Sequence, residues 1–287
     1  MTNYEDLKRS KARTLRGYAR DLALTGLSLA SSDKYLEKPR VQFLYIHHVF
    51  KDEEKRLDAL LKQLSKRHHF ISYADAVEKI LSGTIDKPYI TFSSDDGFKN
   101  NLRAAEILNQ YNAKACFFIN LGIVGETDAG KINKYCTEVL DFPPVEFLNW
   151  DEVRQLQNWG HEIGSHTMMH MNIAKASAQE ITDDMHRTFR ILNEVCGAVK
   201  HFAFPYGRFF HFSEVGRKAV FDAGFVTCAT AERGCHINPA GPLTGKDLCI
   251  RRDHTVLGWD IRHIMYFLIN NAKNVTVNNN YYPADFR

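Results

Sequence analysis

The stretch Tyr89-Ile90-Thr91-Phe92-Ser93-Ser94-Asp95-Asp96-Gly97 decides the fold. Its β-branched and aromatic first half has the composition of a sheet strand, and it runs straight into two carboxylates and a glycine. Parallel β/α folds place their sites at the carboxyl ends of strands, and Gly97 lets the backbone turn sharply behind the pair. Two carboxylates fixed there can divide their labour, one holding a metal and the other accepting a proton. In a chain of this composition about one adjacent Asp pair arises by chance. Asp183-Asp184 is read as that one, on a solvated helix face.

Working outward, short apolar runs alternate with segments of helical period from residue 41 onward, which predicts β/α units around a parallel sheet. The expected strands are 41–46, 89–93, 115–120, 161–165, 201–204, 225–228 and 248–251. Leu57, Leu60, Leu61 and Leu64 fall at i, i+3, i+4 and i+7, and Ile181, Met185, Thr188, Leu192 and Cys196 keep one helix face apolar. Asn149-x-x-Glu152 and Ser177-x-x-Glu180 have the form of capping boxes, and Gly197 and Gly224 sit where a left-handed stop is wanted. A last helix is expected over 260–270, followed by an irregular tail. With no repeat or linker, residues 41–287 are expected to form one α/β domain, preceded by a basic extension over residues 1–40.

At 287 residues, 44% hydrophobic and 25% charged, the chain is neither disordered, collagenous nor a coiled coil. Lys plus Arg outnumber Asp plus Glu by 37 to 34, and a net charge of +3 is too thin to engage nucleic acid. The six cysteines lie far apart without a C-x-x-C pair, which argues for buried thiols in a reducing compartment over a zinc ribbon or disulfide framework. Near the amino terminus Lys8, Arg9, Lys11, Arg13, Arg16 and Arg20 precede an apolar stretch over 22–30. Glu5, Asp6 and Asp21 intrude, and Thr25, Gly26 and Ser28 interrupt the apolar part, so it is read as an amphipathic helix packing on the domain or touching a membrane surface. The expected location is the cytoplasm, at the inner membrane surface, with export by a weak amino-terminal signal as the alternative.

Two further motifs close strands. His166-Thr167-Met168-Met169-His170 follows the 161–165 strand, and its i, i+4 spacing is expected to set both imidazoles on one face of a helical turn. Two neutral imidazoles and one carboxylate leave positions open for water and substrate, as a catalytic metal site requires. Phe202-Ala203-Phe204-Pro205-Tyr206-Gly207 closes the 201–204 strand.

In this order the motifs resemble those of the polysaccharide deacetylases, a carbohydrate esterase family that includes chitin-oligosaccharide and peptidoglycan N-acetylglucosamine deacetylases. The likeness spans about residues 41–255. It starts at Phe43-Leu44-Tyr45-Ile46-His47-His48-Val49, similar to the family's opening L-x-Y-H-x-V, and continues through Lys114-Ala115-Cys116-Phe117-Phe118-Ile119 and Gly160-His161-Glu162-Ile163-Gly164-Ser165-His166-Thr167. The resemblance implies a distorted (β/α)7 barrel, Asp95 as general base, and Asp96, His166 and His170 as ligands of a divalent metal. Zn²⁺ is the first choice, with Co²⁺, Ni²⁺ or Fe²⁺ as alternatives. It further implies an oxyanion site completed by the Tyr206 backbone N–H, and substrate contacts at His48, Pro205 and Tyr206.

Three departures stand out. The family's Thr-Phe-Asp-Asp-Gly appears as Ser93-Ser94-Asp95-Asp96-Gly97. Ala203 stands where an Arg commonly tethers the base, leaving Arg208, Arg251 or Arg252 as substitutes. The Leu-x-His motif that supplies the general acid has its nearest counterpart in His254, with an ordinary loop histidine as the competing reading. The implied activity is removal of an N-acetyl group from an amino sugar of a polysaccharide or its precursor, in cell-surface polysaccharide synthesis. Tyr206, Phe209, Phe210, Trp150 and Trp259 are the aromatic faces available for sugar. The competing functions are a non-catalytic carbohydrate-binding barrel and a hydrolase of a different N-acyl amide.

Overall fold

The apolar runs become parallel strands in a computed structural model, which describes residues 3–7, 15–29 and 32–283. In chain order the elements are α1 (Tyr4–Leu7), α2 (Leu15–Leu29), β1 (Arg40–Ile46), α3 (Glu54–Leu64), β2 (His69–Phe70), α4 (Tyr73–Leu81), β3 (Pro88–Ser94), α5 (Asn101–Asn109) and β4 (Ala115–Ile119). Then follow α6 (Ala129–Lys134), α7 (Trp150–Asn158), β5 (Glu162–Ser165), α8 (Ala178–Cys196), β6 (His201–Ala203), α9 (Glu214–Asp222), β7 (Thr227–Ala229), β8 (Cys249–Ile250), β9 (Arg252–His254) and α10 (Ile261–Asn274). Both expected capping boxes form, each with its Asn or Ser side chain on the third backbone N–H and its Glu returning to the cap.

The strands form one parallel sheet in the order β8-β7-β6-β5-β4-β3-β1-β9, with β2 added on β3. Only Arg251 separates β8 from β9, yet the two pair at opposite ends of this order. Cys249 lies opposite Cys228 of β7, and Arg252 lies opposite Phe43 of β1. The stretch 249–254 therefore brings the two ends together and all but closes the sheet into a barrel wrapped by helices.

Alternate strand residues fall into two apolar clusters, as a side-chain period of two requires. Phe43, Phe118, Ala203, Ala229 and Ile250 fill the barrel interior. Leu44, Phe117, Phe202, Cys228 and Cys249 meet the helices. The same alternation carries Ser93 and Asp95 inward from β3, and Arg252 and His254 inward from β9.

The short β2, strand β9 and the tail differ from expectation. Strand β9 lies where the sequence suggested a loop, because two charged residues and a histidine have no strand propensity of their own and pair only once β1 is in place. The tail is not merely irregular: Asn280 and Tyr282 are buried, with the Asn280 amide donating to the Ile237 carbonyl at 2.8 Å and the Tyr282 hydroxyl to that of Cys228 at 3.3 Å. All six cysteines are free thiols, five of them buried.

Helix α2 packs on α10, with Thr25 Oγ1 3.1 Å from His263 Nε2 and the Arg20 guanidinium 5.2 Å from the centre of the Trp259 ring. Lys8, Arg9, Lys11 and Arg13 lie outside the described residues, as does the side chain of Arg16.

Candidate active site

At the end of β3 the backbone enters the left-handed region at Asp96 (φ 73°) and Gly97 (φ 76°), so the adjacent carboxylates leave the chain in different directions. Gly97 is required twice over, by its φ and because a Cβ there would meet the Ile119 side chain at 3.2 Å. After β5, the expected helical turn does not form. Thr167 (φ 68°) and His170 (φ 56°) are both left-handed, and it is this kinked turn, not a helix face, that brings the two imidazoles together. A β-branched residue at positive φ is strained and persists only when its surroundings hold it.

Here they do. The Thr167 hydroxyl accepts from Met171 N–H at 3.0 Å, the Thr167 and Met168 carbonyls accept from Leu121 and Gly122, and the Asn120 amide donates to the His166 carbonyl. From α8, both oxygens of Asp184 accept from Met168 N–H, at 3.1 and 3.2 Å. Asp183 is exposed, as a solvated face requires, but Asp184 is buried with its carboxyl pushed up to about 6 by that burial, and it fastens the turn between the two histidines.

Asp96, His166 and His170 present ligand atoms within 4.8 Å of one another. Asp96 Oδ1 is 3.6 Å from the Nε2 atoms of both histidines, and it is buried with no hydrogen-bond partner among the described residues. His166 Nδ1 lies 2.7 Å from the Ala203 carbonyl, which can only accept, so the proton sits on Nδ1 and the Nε2 lone pair is free. Burial lowers the pKa of His166 and holds His170 down to about 3. Burial and the neighbouring Asp95 push Asp96 up to about 8. An orphaned, buried carboxylate oxygen facing two neutral imidazoles fits a divalent cation and is otherwise costly.

Asp95 is built differently. Arg252 grips both of its oxygens, Nη1 to Oδ1 at 2.7 Å and Nη2 to Oδ2 at 2.8 Å. The guanidinium also donates to Ser93 Oγ at 3.1 Å and to the Thr230 carbonyl at 2.8 Å, with the Tyr45 ring centre 4.6 Å away. Burial alone would raise the Asp95 carboxyl; Arg252, with His166, overrides this and holds it at about 2. Of the three arginines proposed to replace the missing tether, Arg252 takes the role. Arg208 pairs instead with Glu232 at 2.8 Å, and Arg251 donates to the Asn279 carbonyl at 3.2 Å. Ser94, in place of the buried aromatic, donates to the His47 carbonyl at 3.3 Å and bonds Asn101 Oδ1 at 3.0 Å.

These groups face a cavity of about 370 Å³, within the range of small-molecule sites. Tyr206 lines it in a left-handed conformation (φ 63°), 4.6 Å ring to ring from His170, and its backbone N–H meets no acceptor among the described residues. His48 lines the cavity with Nδ1 2.8 Å from Glu53 Oε2. His254 stands on β9 rather than a surface loop, stacked 4.8 Å from Tyr45 and edge-on to His47 at 4.9 Å. Burial, with Arg233 beside it, holds the imidazole down to about 4. Pro205 is buried next to Tyr206 and is not among the residues that line the cavity. Of the five aromatic candidates only Tyr206 lines the cavity; Trp150, Phe209 and Trp259 pack against the core, and Phe210 is exposed. The aromatic lining comes instead from Tyr4, Tyr45, Phe98, Phe142 and Phe204, and His47 joins it.

Residues 82–226, just over half of the chain, match the family model described as polysaccharide deacetylase. The chain is 31% identical over 139 residues to the peptidoglycan-N-acetylglucosamine deacetylase of Bacillus cereus, covering 47% of this chain and 42% of that protein. It is 32% identical over 123 residues to the chitooligosaccharide deacetylase of Azorhizobium caulinodans, covering 42% and 47% respectively. The matched region thus spans less than half the length of either curated relative. Among solved structures, IcaB from Ammonifex degensii superposes with a TM-score of 0.63 at 18% identity, over 83% of this chain and 98% of that one. This likeness shows the (β/α) barrel fold expected from the sequence.

Proposed function

The chain belongs to the polysaccharide deacetylase family, and from that premise we propose that it is a metal-dependent hydrolase that removes an N-acetyl group from an amino sugar of a polysaccharide or its precursor. One observation carries the proposal. Asp96 Oδ1 stands orphaned between two Nε2 atoms at 3.6 Å, beside an Asp95 that Arg252 keeps ionised and out of the ligand set.

Water adds across the amide bond, which breaks to give acetate and a free amine. A divalent cation on Asp96, His166 and His170, Zn²⁺ in our assignment, would supply polarisation of the acetyl carbonyl and acidification of water. Asp95 accepts the water proton, and Arg252 fixes the direction from which it does so. The Tyr206 N–H meets the charge that develops on the carbonyl oxygen. His254, neutral at rest, takes up the proton that Asp95 removed from water and passes it to the departing nitrogen, which leaves both groups as they began. His48, fixed by Glu53, contacts the sugar. The Arg252 tether supports this reading over a barrel that only binds carbohydrate, because it supplies the arginine whose absence from position 203 favoured the latter.

Titration calorimetry of chelator-stripped protein with Zn²⁺ and Co²⁺ tests the centre. One tight site is expected, lost in His166→Ala, together with acetate release from N-acetylglucosamine oligomers by the loaded enzyme. Absence of metal binding by the unaltered chain overturns the mechanism.

We also place the protein in the cytoplasm, in peripheral contact with a membrane through the outer face of α2. Free thiols support a reducing compartment. On α2 the polar Thr25 faces α10, while Tyr18, Leu22 and Leu27 face outward beside Arg20. Flotation with anionic phospholipid vesicles should recover the protein, and Leu22→Glu should leave it in the soluble fraction; no flotation of the unaltered chain removes the contact.

A further inference from the structure

We propose that Tyr4, from the amino-terminal segment outside the family match, and Phe142 form a subsite for a second sugar ring next to the one that loses its acetyl group. This rests on the deacetylase reading above. Both residues line the cavity over the metal ligands, although they come from segments far apart in the chain. Their rings lie 6.2 Å apart at 10° and are backed by buried Phe50, 5.5 Å from Tyr4 at 15° and 6.5 Å from Phe142 at 19°. His48, at 4.6 Å from Tyr4 and 5.3 Å from Phe142, links this aromatic face to the rest of the cavity.

The position of Tyr4 is built rather than incidental. The Tyr4 and Glu5 N–H groups, at the start of α1, donate to the two oxygens of Asp52 at 2.8 and 3.2 Å. A carboxylate from the β1–α3 loop thus holds the segment from outside, where the Tyr4 ring lines the cavity. A pyranose has polar edges and an apolar face of C–H groups, and aromatic rings offer that face contact without asking for a hydrogen bond. In the deacetylase reading the triad and Asp95 act on a single acetamido group, and the aromatic face that lines the same cavity is available to the neighbouring ring of the same chain. The enzyme should therefore favour oligosaccharides over single sugars.

Binding separates this inference from the chemistry. In an Asp95→Asn background, Zn²⁺-loaded and slow in turnover, calorimetry with the N-acetylglucosamine tetramer should show Kd weakened about tenfold by Tyr4→Ala and little changed by Tyr4→Phe. Asp52→Ala, at an exposed site outside the cavity, should weaken Kd in the same direction while Tyr4 remains. In the active enzyme Tyr4→Ala should raise KM for the tetramer with kcat within about twofold, because the subsite does not touch the reacting atoms. An unchanged Kd in Tyr4→Ala, or a tighter one, overturns the subsite, the second outcome marking the segment as a lid. Tetramer binding that depends on Tyr4 but yields no acetate in the active enzyme overturns the deacetylase reading and leaves the subsite standing.

Discussion

Asp95→Asn is expected to lower kcat about 10³-fold while a Zn²⁺ site remains, because general-base catalysis contributes about 10²–10⁴ and Asp95 is not in the ligand set. The substitution keeps the shape of the side chain and one acceptor for Arg252, but it removes the group that takes the water proton. It also takes a negative charge from beside a buried guanidinium, so Tm should fall by several degrees. Kinetics well below Tm, paired with metal titration of the same preparation, distinguish loss of chemistry from loss of structure. Turnover within tenfold of the unaltered enzyme would remove Asp95 from the role of base.

Arg252→Met carries the second large effect, on stability. Arg252 is fully buried, and its loss strands both oxygens of Asp95, the Ser93 hydroxyl and the Thr230 carbonyl together. Breaking a buried pair from one side costs about 3–5 kcal/mol, on the order of 10 °C in Tm for a chain of this size. The pH dependence should change sign with it. Asp95 is held at about 2 in the folded protein, so its ionisation contributes stability above the ordinary carboxylate range, and that contribution is lost as pH falls toward 2. Without Arg252, burial dominates and raises the carboxyl. The group then disfavours the folded state above its ordinary pKa, and the acid limb of kcat/KM moves upward. Thermal melts and kcat/KM between about pH 5 and pH 9 read both effects. Arg252→Lys should restore only part, since a single ammonium cannot span two oxygens as the guanidinium fork does. An Arg252→Met protein with an unchanged melt and profile would show that the pair neither supports the fold nor tunes the base.

Much of this site is legible in short stretches of sequence. Asp95 and Asp96 follow a strand that its β-branched and aromatic run announces, His166 and His170 follow the shorter 161–165 strand, and the order of the motifs names the family. Even the inward direction of Ser93 and Asp95 follows from a period of two along β3. Arg252 was one of three arginines that local pattern could not rank, because its partner lies 157 residues earlier and meets it only when the barrel closes. Asp184 looked like an ordinary exposed acid, since nothing in its neighbours tells that α8 turns it under the His166–His170 turn. Tyr4 lies outside every motif, and its place in the cavity depends on Asp52.

Strand period, helix caps and strand-end motifs are properties of neighbouring residues, so the alternation of strands and helices, the family and the three candidate metal ligands are readable along the chain. Which arginine holds the base, which acid fixes the histidine turn and which aromatics wall the cavity are set by the folded barrel. Those choices depend on contacts across the closed barrel, where the geometry of packing, not local pattern, brings distant residues within bonding distance.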